Sequence, residues 1–151
     1  MTLPPIDYDK VHQRVQEIQE SIAELKNLTR APMEEFVKDK HIYALAFHYF
    51  WKSLEAVLAI GTHILSRIPG GGKMKDYQDI IRSLGEFQVI PQEFAQRNKP
   101  LASYRNRMVH GYWRVSPEEL YATIKEHLAD LDQFCAYFIK YAQTHQPDNK
   151  V

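Results

Sequence analysis

Residues 116–138 read S-P-E-E-L-Y-A-T-I-K-E-H-L-A-D-L-D-Q-F-C-A-Y-F, and their pattern decides the fold class. Ser116 stands where a helix N-cap is expected, Pro117 at the first helical position and Glu119 three residues after the serine, the spacing of a capping box. Leu120, Ile124, Leu128, Leu131, Phe134, Cys135 and Phe138 then recur at intervals of three and four, so one side of the helix is apolar. No stretch of the chain alternates with the period of two that a half-buried strand requires.

The helical period continues toward the N-terminus. Val11, Val15, Ile18, Ile22, Leu25 and Leu28 predict a first helix from Asp9 to about Leu28, opened by Asp7 or Asp9. Pro32 followed by Glu34 and Glu35 predicts the start of a long second helix reaching about Arg67, with acids at the positive end of its dipole. Its middle, around Phe47, Phe50 and Trp51, is apolar enough to face more than one neighbour. Pro69-Gly70-Gly71-Gly72 ends it; no strand precedes these glycines and no Lys-Ser/Thr follows, so a phosphate-binding loop is not indicated. Asp76 caps a shorter helix that stops near Gly85, Pro91 opens another, and Pro100 kinks or restarts it. Gly111 then stands where a left-handed C-terminal cap is expected. These elements predict an all-α antiparallel bundle of about five helices, one domain over residues 1–143, with a polar, disordered tail over 144–151.

Composition narrows the function classes. Nineteen basic and nineteen acidic residues give a formal net charge of +0, so contact with nucleic acid must come from a local patch rather than from bulk charge. One cysteine, Cys135, allows no intrachain disulfide and no Cys-based zinc site. No run approaches a membrane span, and the N-terminus M-T-L-P-P-I-D-Y-D-K lacks a signal-peptide layout, which makes the cytoplasm the expected location. The seven histidines show no ligand spacing and no helix carries a Glu-x-x-His pair, so neither a metal nor another cofactor is expected.

The local patch is plain. Between Glu93 and Glu118 there is no Asp or Glu, while Arg97, Lys99, Arg105, Arg107 and Arg114 fall inside that window. Within it, residues 103–113 read S-Y-R-N-R-M-V-H-G-Y-W. RNA can be cut by turning its own 2′-hydroxyl onto the adjacent phosphorus, which needs a proton carrier near neutral pH and a fixed cation for the phosphoryl oxygens. Histidine suits the first role and arginine the second. His110 and Arg105 are the candidates, with Asn106 on the face of His110 to orient imidazole or phosphate. Tyr104, Arg107, Arg97, Lys99 and Arg114 are candidate RNA contacts, Tyr104 by stacking on a base. The bland alternative makes the arginines solvated helix-end charges and His110 a capping residue, in a docking module that never cuts.

The string Arg105-Asn-Arg-Met-Val-His110-Gly-Tyr112 fits an R-x4-H-x-Y motif and resembles the HEPN superfamily, within it the HepT toxins of toxin–antitoxin pairs. The likeness extends over about residues 35 to 140, through residues 47–65, D-Y-Q-D-I-I-R-S-L, V-I-P-Q-E-F and S-P-E-E-L-Y. The resemblance implies an all-α homodimer whose interface cleft holds both motif copies. It implies a metal-independent endoribonuclease with tRNA among its substrates, the toxin of a type VII system. By that likeness Arg105 and His110 are catalytic and Asn106 matches a frequent polar position. Tyr112 matches the tyrosine to which a minimal nucleotidyltransferase antitoxin, MntA, adds AMP.

Overall fold

The computed structural model describes residues 3–73 and 76–145, and every regular element in it is helical. Seven α-helices follow in order: α1 Tyr8–Leu28, α2 Met33–Lys38, α3 Lys40–Leu65, α4 Tyr77–Glu86, α5 Gln92–Asn98, α6 Pro100–His110 and α7 Pro117–Thr144, with a 3-10 turn at Tyr112–Arg114 before α7. Helix α3 lies at the centre, with α1 and α7 packed on it and on each other, and α4 and α6 against its other side. Phe36, Phe50, Phe134 and Phe138 are fully buried between these layers, each worth about 2–3 kcal/mol in surface removed from water.

The predicted long second helix is two helices. Asp39 leaves helical geometry at φ −107°, ψ 104° and its carboxylate accepts from the backbone N–H groups of His41 and Ile42, so it caps α3 and ends α2. Pro32 is the residue before α2, not its first. The capping carboxylate competes with helix continuation at a position that apolar periodicity does not mark. At the other boundaries Asp7 caps α1, Asp76 caps α4 and Pro100 restarts the chain as α6. Of the tail, Thr144 closes α7 and His145 follows it as the C-cap; residues 146–151 lie outside the described residues.

Two glycines serve close packing. A Cβ on Gly61 would lie 2.9 Å from Ile80 Cγ2, and one on Gly85 would lie 2.8 Å from Ala95 Cβ. Gly61 thus lets α4 settle onto α3, and Gly85, one residue before α4 ends at Glu86 as expected, lets α5 approach. The left-handed residue after α4 is Gln88, at φ 61°, while Val89 N–H donates to Leu84 C=O and Gln88 N–H to Gly85 C=O, the paired bonds of a Schellman ending. Gly111 is not left-handed either: φ is −147° and ψ 41°, with its N–H donating to Arg107 C=O at 2.8 Å. Among the described residues, no helix is long and apolar enough to cross a membrane.

Candidate functional site

Helix α6 lies against α3 and α4, burying Leu101, Ala102, Tyr104 and Met108 and leaving Val109 and His110 exposed at its end. Arg105 points toward α3 and α4, where only 11% of its side chain is exposed. Its Nε donates to the Glu55 carboxylate, Nη1 donates to Asn106 Oδ1 at 3.1 Å, and the guanidinium lies over the Tyr77 ring, 4.1 Å from its centroid. A planar cation is thus fixed along one edge by a carboxylate, at one corner by an amide and on one face by a π-system. Nη2 is not used in any of these contacts, and a guanidinium edge of this kind matches a phosphate oxygen.

The expected partners of Asn106 were the imidazole or a phosphate; its carbonyl instead accepts from Arg105. His110 lies one turn beyond Asn106 and is exposed. After Gly111, the turn Tyr112–Arg114 presents Tyr112 and Trp113, 62% and 68% exposed, with their rings edge to face at 5.4 Å. The Tyr43 hydroxyl donates to Val115 C=O at 2.6 Å and ties the far end of the turn to α3.

The other sequence candidates separate. Tyr104 is 8% exposed with its ring edge-on to Phe50, and burial holds its phenol well above the ordinary range; it is a core residue with no open face for a base. Arg107 is paired with the Glu119 carboxylate, which raises its pKa, and its guanidinium lies 5.2 Å from the Tyr104 ring centroid. Arg97 donates to Asp130 at 2.8 Å, and Asp130 in turn reaches His127 Nδ1 at 3.3 Å, beside Asn98 Oδ1 at 3.1 Å. That network, buried at Asn98, His127 and Asp130 and capped at the surface by Arg97, fastens α5 to α7. Lys99 and Arg114 are exposed. The acid-free window is therefore less positive than its sequence suggests, because Asp130 and Glu119 reach into it from α7.

Sequence reasoning missed Glu55 and Tyr77. A signal for Glu55 existed: it is the only acidic residue in the 26 residues of α3, set among L-E-A-V-L-A, and an acid inside so apolar a run needs a partner. Tyr77 carried no such mark, since its packing under Arg105 depends on the placing of α4.

Comparison with known proteins adds to this geometry. A family model described as Ribonuclease HepT-like matches residues 18–138. The tRNA nuclease HepT of Aphanizomenon flos-aquae (strain 2012/KM1/D3) is 27% identical over 95 residues, which are 63% of this chain and 64% of that protein, so the match spans a little under two thirds of that relative. A crystal structure of a toxin–antitoxin with AMP-PNP is similar with TM-score 0.75 and 20% identity, covering 86% of this chain and 98% of that one. The Bacillus subtilis protein YutE, a cytosolic protein of unknown function, is similar with TM-score 0.77 and 21% identity over 95% and 94% of the two chains. At these identities the structural likenesses show the fold alone.

Proposed function

This chain belongs to the Ribonuclease HepT-like family, and from that premise we propose that it is the toxin of a toxin–antitoxin pair, cutting RNA, tRNA included, without a metal. The carrying observation is the fixed guanidinium of Arg105 on the same stiff helix as the exposed imidazole of His110. In the proposed reaction the 2′-hydroxyl loses its proton and attacks phosphorus, the bond to the 5′-oxygen breaks, and that oxygen takes a proton as it leaves. The products are a 2′,3′-cyclic phosphate and a 5′-hydroxyl. Arg105 stabilises the charge that builds on the phosphoryl oxygens, Asn106 holds Arg105, and His110 moves a proton. One chain offers one such imidazole, so acid and base together call for a homodimer that brings two copies to one cleft.

Tyr112 fits the role of AMP acceptor for a minimal nucleotidyltransferase antitoxin, because its exposed ring makes the phenol reachable. A nucleotide there would add bulk and negative charge two residues from His110, where RNA phosphates must come.

The pairing of Arg105 with Glu55 also fits a docking module in which the arginine is structural. RNA cleavage with EDTA present separates the readings. The wild-type chain should cleave, and His110→Ala and Arg105→Ala should not. Activity abolished by EDTA overturns the metal-free mechanism, activity retained by His110→Ala overturns the residue assignment, and a chain that neither cuts RNA nor arrests growth when expressed alone is the docking module.

A further inference from the structure

We infer that the RNA strand beside the scissile phosphate lies in a basic cavity between α1 and α3, outside the motif, held by Lys10, Arg14 and Arg67. This rests on the ribonuclease reading above. The cavity has a volume of about 420 Å³ and is lined by those three cations together with His63, Glu55 and Tyr77. Glu55 and Tyr77 are the two residues that grip Arg105 from below and from the side, so the cavity is continuous with the candidate site and shares its wall.

Its charge is available. Among the described residues neither Lys10 nor Arg67 is ion-paired, and Arg14 is paired only with the exposed Glu17 at 3.2 Å. The carboxylate in the lining, Glu55, is committed to Arg105. Arg67 is steadied by bonds from its guanidinium to Ser66 Oγ at 2.7 Å and His63 C=O at 3.5 Å. His63 senses the field: burial lowers its pKa first, and Arg67 and Lys10 lower it further. Its Nε2 accepts the Asp7 N–H at 3.0 Å, so it is a neutral wall of the cavity rather than one of its cations.

The dimensions fit a strand rather than a mononucleotide. From Glu55 to Leu65 along α3 is about 15 Å at about 1.5 Å rise per residue, with Arg67 in the turn just beyond the helix end, long enough for more than one consecutive phosphate. Tyr77 carries Arg105 on its ring and also lines the cavity, offering an aromatic platform at the catalytic end. Three cations with charge to spare thus converge on this cavity, Lys10 and Arg14 from α1 and Arg67 from the turn after α3, whereas two of those in the acid-free window, Arg97 and Arg107, are engaged by α7.

The test is binding of a fluorescent single-stranded RNA oligonucleotide to the full chain carrying His110→Ala, measured by anisotropy across a salt series. Each single-strand phosphate contact contributes about 0.7 to the slope of log affinity against log salt. Lys10→Gln/Arg14→Gln/Arg67→Gln should therefore lower the slope by about 2 and weaken binding on the order of a hundredfold near 0.1 M salt. The charge-preserving set Lys10→Arg/Arg14→Lys/Arg67→Lys should keep the slope, which separates lost contacts from misfolding. Neutralising Lys26, Arg30 and Lys38 serves as the matched control. An unchanged slope, or an equal loss in the control, overturns the proposal, as does binding of AMP that depends on these residues while RNA binding does not. Cleavage by the wild-type chain is scored separately. A chain that does not cut but binds RNA through these residues keeps this inference and loses the nuclease; a nuclease whose KM ignores them does the reverse.

Discussion

Replacing Glu55 by glutamine removes one charge from the edge of the guanidinium while leaving an oxygen that can still accept from Nε. A phosphate bound on the far side of Arg105 would sit about 6–7 Å from the Glu55 carboxylate, and at an effective dielectric between about 20 and 80 their repulsion is about 0.6–2.5 kcal/mol. Glu55 is 33% exposed at its side chain, so screening brings the figure to about 1 kcal/mol, or roughly fivefold in affinity. Glu55→Gln should therefore lower KM about fivefold. The same change loosens Arg105, whose slight exposure makes its position depend on its partners, and kcat should fall about tenfold. Steady-state cleavage of a labelled RNA gives both constants, and thermal unfolding gives the accompanying loss of about 1–2 kcal/mol. An unchanged kcat would show that Glu55 does not orient Arg105, a raised KM that it does not oppose phosphate, and either would refute the reasoning.

Incubation with ATP and the partner nucleotidyltransferase should place AMP on Tyr112, read by mass spectrometry of the peptide; modification confined to other tyrosines removes that assignment. Gly61→Ala should destabilise by about 1–3 kcal/mol by pushing α4 from α3, while Gly111→Ala should cost less than about 0.5 kcal/mol, because its φ is accessible to any residue and its Cβ would meet nothing closer than 3.5 Å; denaturant melts that reverse this order contradict the packing described. His63 has a folded pKa below its ordinary value near 6.5, so above that value neither state is protonated. As pH falls through it the unfolded chain takes up a proton that the folded chain refuses, and stability declines until the folded pKa is reached. The slope of stability between about pH 6.5 and 5 should be shallower in His63→Gln; an identical slope would mean that His63 is protonated freely.

The helical class, the caps at Asp7, Asp76 and Ser116 and the restart at Pro100 were legible because each is a local signal: a period, a carboxylate or hydroxyl, a missing N–H. The break at Asp39 was hidden inside an unbroken apolar period; the helix ends near Gly85 and at Gly111 were legible, but not that Gln88 takes the left-handed position after α4 or that Gly111 caps α6 without it. Arg105, Asn106, His110 and Tyr112 could be picked out from one short string, and their catalytic and acceptor roles are proposals. Which cations are neutralised could not be read: Arg97 and Arg107 meet carboxylates 33 and 12 residues away, and such pairings exist only once α7 has folded back.

The carboxylate of Glu119 has a position with a wider consequence. Its backbone N–H is held by Ser116, while its side chain goes to Arg107 instead of returning to complete the capping box. The end of α6 and the beginning of α7 therefore share an anchor, and fraying of either terminus gives up a contact that also holds the other. Amide hydrogens of the two turns should therefore show linked protection from exchange with solvent, so that opening of the segment bearing His110 is slowed by its tie to the first turn of α7.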